Sequence, residues 1–352
     1  MPMHLLVILP RWVGDVVMCT PMLRALRRRF RGDARITAVV RPGHDALLAG
    51  TQLDGTSWID DYLFYNLHSR DRSFRLGPVA RRLREHPADA AIIVPNSLSS
   101  AALAWLAGAR RRIGFSRNGR RLLLTDPLRL PWKGWKVEPS STAVAAMQLA
   151  ERLGVAPEPL RLELATSPAD RAMADVLLSE MFGTSEGPLV ILNDNAATGT
   201  SRAWGHEPFA ALARMIVADH PDARVLVHCG PDDRQQSRRI VEMSQSRSVR
   251  GMHDIERLPF GLSKAIIEKA RLLVSSDSGP RHIAAAFGIP TVAVFGAADP
   301  RLGRSDHPGL VELRVDLPCV PCNKKECPLG HRDCMRLLRV EDVYAAAAPA
   351  LA

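Results

Sequence analysis

The sequence predicts an α/β protein built from two doubly wound, Rossmann-like domains, and three observations carry that prediction. Short apolar runs of four to six residues alternate with longer amphipathic stretches in both halves of the chain. The runs are continuous rather than alternating in polarity, as strands buried on both faces of a parallel sheet are. A segment punctuated by Pro157, Pro159 and Pro168 parts the two series.

In chain order, 4–9 reads as the first strand and 17–30 as a helix. Strands at 35–40 and 90–94 follow, then helices at 97–107 and 143–153. After the Pro-rich segment, a helix at 169–181 opens a second series with strands at 189–192, 224–228, 272–275 and 291–295. Helices at 208–219, 233–244 and 280–287 separate them. This β-α-β rhythm places an N-terminal domain over 1–160 and a C-terminal domain over 161–352. The C-terminal helix is expected to be free to pack back on the N-terminal domain. Ligands of such folds sit beyond the carboxyl ends of the strands, where helix N-termini converge.

The chain has 352 residues, 46% hydrophobic and 24% charged, which excludes a disordered tail or a minimal disulfide scaffold. Its +10 net charge is uneven: residues 1–150 hold 23 Lys or Arg against 11 Asp or Glu, and 151–352 hold 24 against 26. The first part is thus +12 and the second −2, so a broad anionic surface is expected to meet the N-terminal domain. No run of 18 apolar residues and no signal peptide is seen, so reduced thiols and a cytoplasmic setting are expected.

Arg11, Gly14 and Asp15 lie between the first strand and the first helix, where Gly14 permits close backbone approach. Asp15 can act as a general base on an acceptor hydroxyl, or cap a helix beginning near Val16. Thr198, Gly199, Thr200 and Arg202 follow the strand at 189–192 and suit a diphosphate cradle, with an ordinary polar loop as the alternative. Asp277, Ser278, Gly279, Pro280 and His282 follow the strand at 272–275, with Pro280 at the start of a helix whose first N–H groups can face a phosphate. Asp277, ill suited to touch an anion, is expected to orient the loop. Asp232 and Asp233 can accept hydrogen bonds from ribose hydroxyls or cap a helix. No Walker loop is present in the chain.

Cys319, Cys322, Cys327 and Cys334, with His331 among them, can hold a structural zinc ion, form disulfides or remain reduced thiols. Their spacing is not that of paired zinc knuckles, and a catalytic metal is not expected.

The run Gly14-Asp15-Val16-Val17-Met18-x-Thr20-Pro21-x-Leu23-Arg24-Ala25-Leu26-Arg27 resembles the opening signature of the lipopolysaccharide heptosyltransferases, glycosyltransferase family nine. Ser201-Arg202-Ala203-Trp204 and Ser276-Asp277-Ser278-Gly279-Pro280-Arg281-His282-Ile283-Ala284-Ala285-Ala286 are similar to its small basic loop and its nucleotide-binding signature. Cys327-Pro328-Leu329-Gly330-His331 with Cys334-Met335 resembles the heptosyltransferase II branch. Asp194-Asn195-Ala196 stands where the family usually has Pro-Gly-Ala, and Arg202 where it usually has Lys. Residues 299–306 also lack its usual Gly-Pro-Tyr-Gly character.

The resemblance implies a GT-B fold whose two domains face across a cleft, and an inverting, metal-independent sugar transfer with no cofactor. The implied donor is ADP-heptose and the implied acceptor the anionic lipid A–Kdo inner core at the cytoplasmic face of the inner membrane. Asp15 becomes the base, Arg202 the cation at the donor phosphates, and Ser278, Gly279 and His282 the diphosphate contacts. Arg11, Gly14, Arg117 and Arg120 are assigned to the acceptor. The arginine clusters at 27–31 and 110–121 are assigned to the glycolipid surface. A same-fold transferase using another nucleotide sugar is the enzyme alternative. A nucleic-acid-binding protein is the non-enzymatic one, disfavoured by 5% aromatic residues and the lack of any known nucleic-acid motif.

Overall fold

The computed structural model describes residues 2–130, 132–133, 136–194 and 200–352. The chain divides into two compact units, Met1–Ala165 with Arg301–Asp306, and Thr166–Pro300 with His307–Ala352.

In the first unit the strands are β1 (Met3–Ile8), β2 (Ala34–Val40), β3 (Asp61–Phe64), β4 (Ala90–Ile93), β5 (Arg111–Phe115) and β6 (Asp126–Leu128). They form one six-stranded sheet in the order β3-β2-β1-β4-β5-β6, every pairing parallel. β1 is flanked on both sides, so its register fixes the sheet: Leu5 lies between Ile36 and Ala90, and Val7 between Ala38 and Ile92. The main helices are α1 (Val13–Met18), α2 (Thr20–Phe30), α3 (Leu76–Arg84), α4 (Leu98–Leu106) and α5 (Thr142–Glu151). Ser97 and Ser141 start α4 and α5 by accepting the N–H of Ser100 and Val144, the side-chain cap expected of serine.

The helix expected over 17–30 is two helices broken at Cys19. Pro21 explains the break. It has no N–H to give and is tolerated only in a first turn, so the helix must restart just before it. The Thr20 hydroxyl steadies the joint by donating to the Val17 carbonyl at 2.7 Å.

The second unit repeats the plan. α6 (Pro168–Phe182) leads into β7 (Leu189–Asn193), α7 (His206–Asp219), β8 (Arg224–Val227), α8 (Arg234–Ser244) and β9 (Val249–Gly251). Then come α9 (Phe260–Glu268), β10 (Leu272–Ser276), α10 (Gly279–Phe287), β11 (Thr291–Phe295), β12 (Leu310–Arg314) and α11 (Val340–Leu351). The strand order is β9-β8-β7-β10-β11-β12, again all parallel.

The units part at Ala165 rather than 160, because Arg24 on α2 holds the intervening segment to the first unit. Its guanidinium, itself buried, donates to Glu158 at 3.0 Å, to Glu163 at 2.6 Å and to the carbonyls of Pro159 and Arg161. The C-terminal helix α11 packs on its own unit, with Val343, Ala347 and Leu351 in the core cluster of Val274, Val292 and Trp204.

Gly187 lies just before β7, where a Cβ would stand 1.9 Å from the backbone oxygen of Asp222. Backbone cannot step aside as a flexible side chain can. Gly187→Ala should therefore cost about 3 kcal/mol, the upper range for overpacking. A denaturant midpoint unchanged from wild type would refute this.

Candidate active site

In each unit the strand order reverses at one point, between β1 and β4 and between β7 and β10, the crevice where doubly wound sheets take ligands. At the second unit's reversal, β10 ends in Ser275 and Ser276, and Asp277 and Ser278 lead into α10. Ser278 is the N-cap in backbone conformation, yet its side chain makes no cap bond. Instead its Oγ accepts from Asn193 Nδ2 at 2.8 Å, at the end of β7. Gly279 and Pro280 open the helix, Pro280 in its first turn as expected of a residue without an N–H.

Asp277 sits between two arginines. It accepts from Arg202 Nη1 at 3.0 Å on one oxygen, and from Arg281 Nε and Nη2 at 2.9 and 2.8 Å on the other. The carboxylate thus aligns a guanidinium that the neighbouring loop brings in. His282, one residue further along α10, is buried, and its Nδ1 has no hydrogen-bond partner. Burial, with help from the adjacent Arg281 charge, holds its pKa well below the ordinary imidazole range.

Thr198 and Gly199 lie outside the described residues, and Thr200 opens the 3₁₀ turn Thr200–Arg202. That turn is braced from below: Ser201 N–H donates to the Lys325 carbonyl at 3.1 Å, and its hydroxyl to that of Lys324. Asp194, buried at the end of β7, accepts the N–H groups of Trp204 and Gly205, and burial pushes its pKa up to about 6. Asp232 is exposed after β8, and Asp233 stands at the start of α8 without a side-chain cap bond, both at the same carboxyl edge.

At the first unit's reversal, α1 begins at Val13, so Asp15 lies in its first turn and not at the N-cap, which is Trp12. The capping alternative does not describe this carboxylate. It accepts instead from the Thr142 hydroxyl at 2.7 Å, at the start of α5. Gly14 is buried, while Arg11 is exposed and stacks on Trp12, 4.3 Å from the ring centre. Arg117 is exposed on the turn after β5.

Arg120 departs from its assignment to the acceptor. It is fully buried, and its guanidinium donates to the carbonyls of Phe115 and Pro95, to Asn96 Oδ1 at 3.0 Å and to Ser100 Oγ at 3.3 Å. It pins the loop after β4, the strand that pairs with β1. Arg27 is buried too, on Asp60 at 2.6 Å and on backbone carbonyls, so part of the charge assigned to an outer surface is used inside the unit.

The six cysteines are free thiols. Cys319, Cys322, Cys327 and Cys334 line one small cavity beside Ser201 and Ala297. Among the described residues no group of three His, Cys, Asp or Glu side chains is arranged to hold a metal ion.

To Asn193, His228, Ser263 and Arg281 the sequence reading gives no role of their own. His228 Nδ1 stands 3.2 Å from Asn193 Oδ1 and its Nε2 2.6 Å from Ser263 Oγ. Burial lowers the His228 pKa from 6.5 to about 4. The unfolded chain takes this proton near pH 6.5 and the native protein only near 4. His228 therefore contributes stability present at neutral pH and lost as the pH falls, roughly 3 kcal/mol over the whole interval. Asp194, with its raised pKa, acts in the opposite sense. In thermal melts between about pH 7 and about pH 5, His228→Asn should flatten the acid-side fall of Tm; parallel slopes for the two proteins would count against it.

Each of the two doubly wound units thus carries polar groups at its reversal, a held carboxylate in one and a cation-flanked helix start in the other. The family model described as glycosyltransferase family 9 (heptosyltransferase) matches residues 77–332. The chain belongs to that family. It is 27% identical over 310 residues to lipopolysaccharide heptosyltransferase 2 of Salmonella typhimurium and 26% identical to that of Escherichia coli, covering 85% of this chain and 84% of either relative. Its fold is that of the E. coli ADP-heptose LPS heptosyltransferase II structure, with a TM-score of 0.77 at 21% identity over 99% of this chain and 98% of the other. A family 9 glycosyltransferase from Veillonella parvula superposes with a TM-score of 0.81 at 22% identity, covering 99% and 97%.

Proposed function

We propose that the protein transfers L-glycero-D-manno-heptose from ADP-heptose to the lipid A–Kdo inner core of lipopolysaccharide, with inversion at the anomeric carbon and without a metal ion. The observation that carries this reading is the likeness to two lipopolysaccharide heptosyltransferase 2 enzymes over most of their length. The geometry supplies the chemistry. Asp15 takes the acceptor hydroxyl proton as the new C1–O bond forms. The bond from C1 to the β-phosphate oxygen breaks, and the charge left on ADP meets Arg202, Ser278, the first N–H groups of α10 and His282. Thr198, Gly199 and Thr200 complete the phosphate loop, with Asp277 and Pro280 shaping it, and Asp232 and Asp233 serve the ribose hydroxyls.

Arg11, Gly14 and Arg117 belong to the acceptor side, facing an anionic glycolipid. No described helix is long and apolar enough to cross a membrane. Peripheral contact with the cytoplasmic face of the inner membrane is proposed on a separate ground, the exposed arginines such as Arg117 and Arg121. No nucleic-acid partner is proposed.

A transfer assay with ADP-heptose and defined core acceptors, read by mass spectrometry, tests the reaction; adding EDTA should leave its rate unchanged. Calorimetry tests the nucleotide: ADP should bind at least about tenfold tighter than UDP, GDP or CMP. Tighter binding of another diphosphate would move the assignment to a same-fold transferase with a different donor.

A further inference from the structure

We propose that the buried chain Ser263–His228–Asn193 is a positioning relay that aims the Ser278 hydroxyl at an anion bound where α10 begins. The inference rests on the donor-site reading above. Its parts come from four elements that meet at the β7/β10 reversal: Asn193 ends β7, His228 follows β8, Ser263 lies in α9 and Ser278 precedes α10. Asn193 is wholly buried, and His228 and Ser263 nearly so.

The direction of each proton follows from donor and acceptor capacity. A neutral imidazole has one N–H, and the low pKa keeps His228 neutral. Asn193 Oδ1 can only accept, so the proton is on His228 Nδ1. His228 Nε2 then accepts, and the Ser263 hydroxyl must donate to it. With its oxygen held by His228, the Asn193 amide presents both N–H groups to Ser275 Oγ at 3.1 Å and Ser278 Oγ at 2.8 Å. Ser275 gives its own proton to the Ser276 carbonyl at 2.7 Å. Ser278 has therefore received a hydrogen bond and kept its proton. Inside the protein that proton can reach Ser275 Oγ at 3.0 Å, but a phosphate oxygen is the stronger acceptor.

The reverse amide orientation has the opposite outcome. With Asn193 Oδ1 turned toward Ser278, the serine would spend its proton on the amide and present only lone pairs to the anion. The two orientations go with the two tautomers of His228: Nδ1–H donates to Oδ1, whereas Nε2–H donating to Ser263 would leave Nδ1 to accept from the amide, and the relay is the first of these. His282, one turn into the same helix, is buried and its Nδ1 has no hydrogen-bond partner.

A double-mutant cycle on ADP affinity, read by calorimetry with the whole protein, tests the relay. His228→Leu and Ser278→Ala should each weaken ADP binding roughly tenfold, the worth of one charge-assisted hydrogen bond. The double variant should be no weaker than the worse single one, because both remove the same donated proton. His228→Asn, whose amide can replace the Nδ1–H, should recover most of the loss. If His228→Leu fails to fold, Ser263→Ala takes its place in the cycle with a smaller loss that also vanishes in the Ser278→Ala background. Losses that multiply to roughly a hundredfold would overturn the relay while leaving the donor site in place. A Ser278→Ala variant that binds ADP as wild type does would overturn both the relay and the donor-site reading.

Discussion

Asp15→Asn should bind ADP within about twofold of wild type and lose heptose transfer by roughly a thousandfold, the middle of the range for a positioned general base. The two effects separate because Asp15 belongs to the first unit, and the groups assigned to ADP belong to the second. Asparagine keeps the size of the side chain and can still accept from the Thr142 hydroxyl through its amide oxygen. What it cannot do is take a proton from an attacking alcohol. Thr142→Val should cost far less, about tenfold, since it removes the bond that orients the carboxylate and not the base itself. Turnover of Asp15→Asn within tenfold of wild type would remove Asp15 from the base role. A parallel loss of ADP affinity would instead mean that the substitution had disturbed the fold.

The parts of the fold that could be read from sequence are those where burial and composition agree. β1, β2, β7 and β11 are central or near-central strands whose runs of Val, Ile, Leu and Ala have no other explanation. Strands near the sheet edges were missed because they carry what edges tolerate: β5 opens on Arg111-Arg112, and β6 contains Pro127. α9 was missed because Gly261 and the wholly buried Lys264 interrupt its apolar pattern. Arg120 shows a deeper limit. In a run of arginines around Asn118 and Gly119 it looks solvated. Its burial depends on space left by Gly114, whose absent Cβ would stand 3.1 Å from the guanidinium. No local pattern encodes that vacancy. Asp15, Arg202 and Ser278 could be picked out as candidates because each lies in a segment that follows a strand's carboxyl end, and the family resemblance then gave them roles. Asn193 and His228 could not, because their contact exists only where β7 and β8 lie side by side.

Arg202→Ala should lower kcat/KM for transfer by about a hundredfold, with most of the loss in kcat. The charge on the departing β-phosphate is fully developed only after the glycosidic bond has begun to break, so a cation placed there stabilises the transition state more than the bound donor. Asp277 sharpens the effect by accepting from Arg202 at 3.0 Å while Arg281 occupies its other oxygen, so the guanidinium is aligned before the donor arrives. Arg202→Lys should recover part of the loss, because an ammonium restores the charge and not the planar fork. Asp277→Asn should act in the same direction as Arg202→Ala but more weakly, since it releases the arginine without removing it. Steady-state kinetics with ADP release as the signal distinguishes these cases. If Arg202→Ala lost less than about threefold, the charge on the leaving group would have to be met elsewhere on α10, at the helix start and His282.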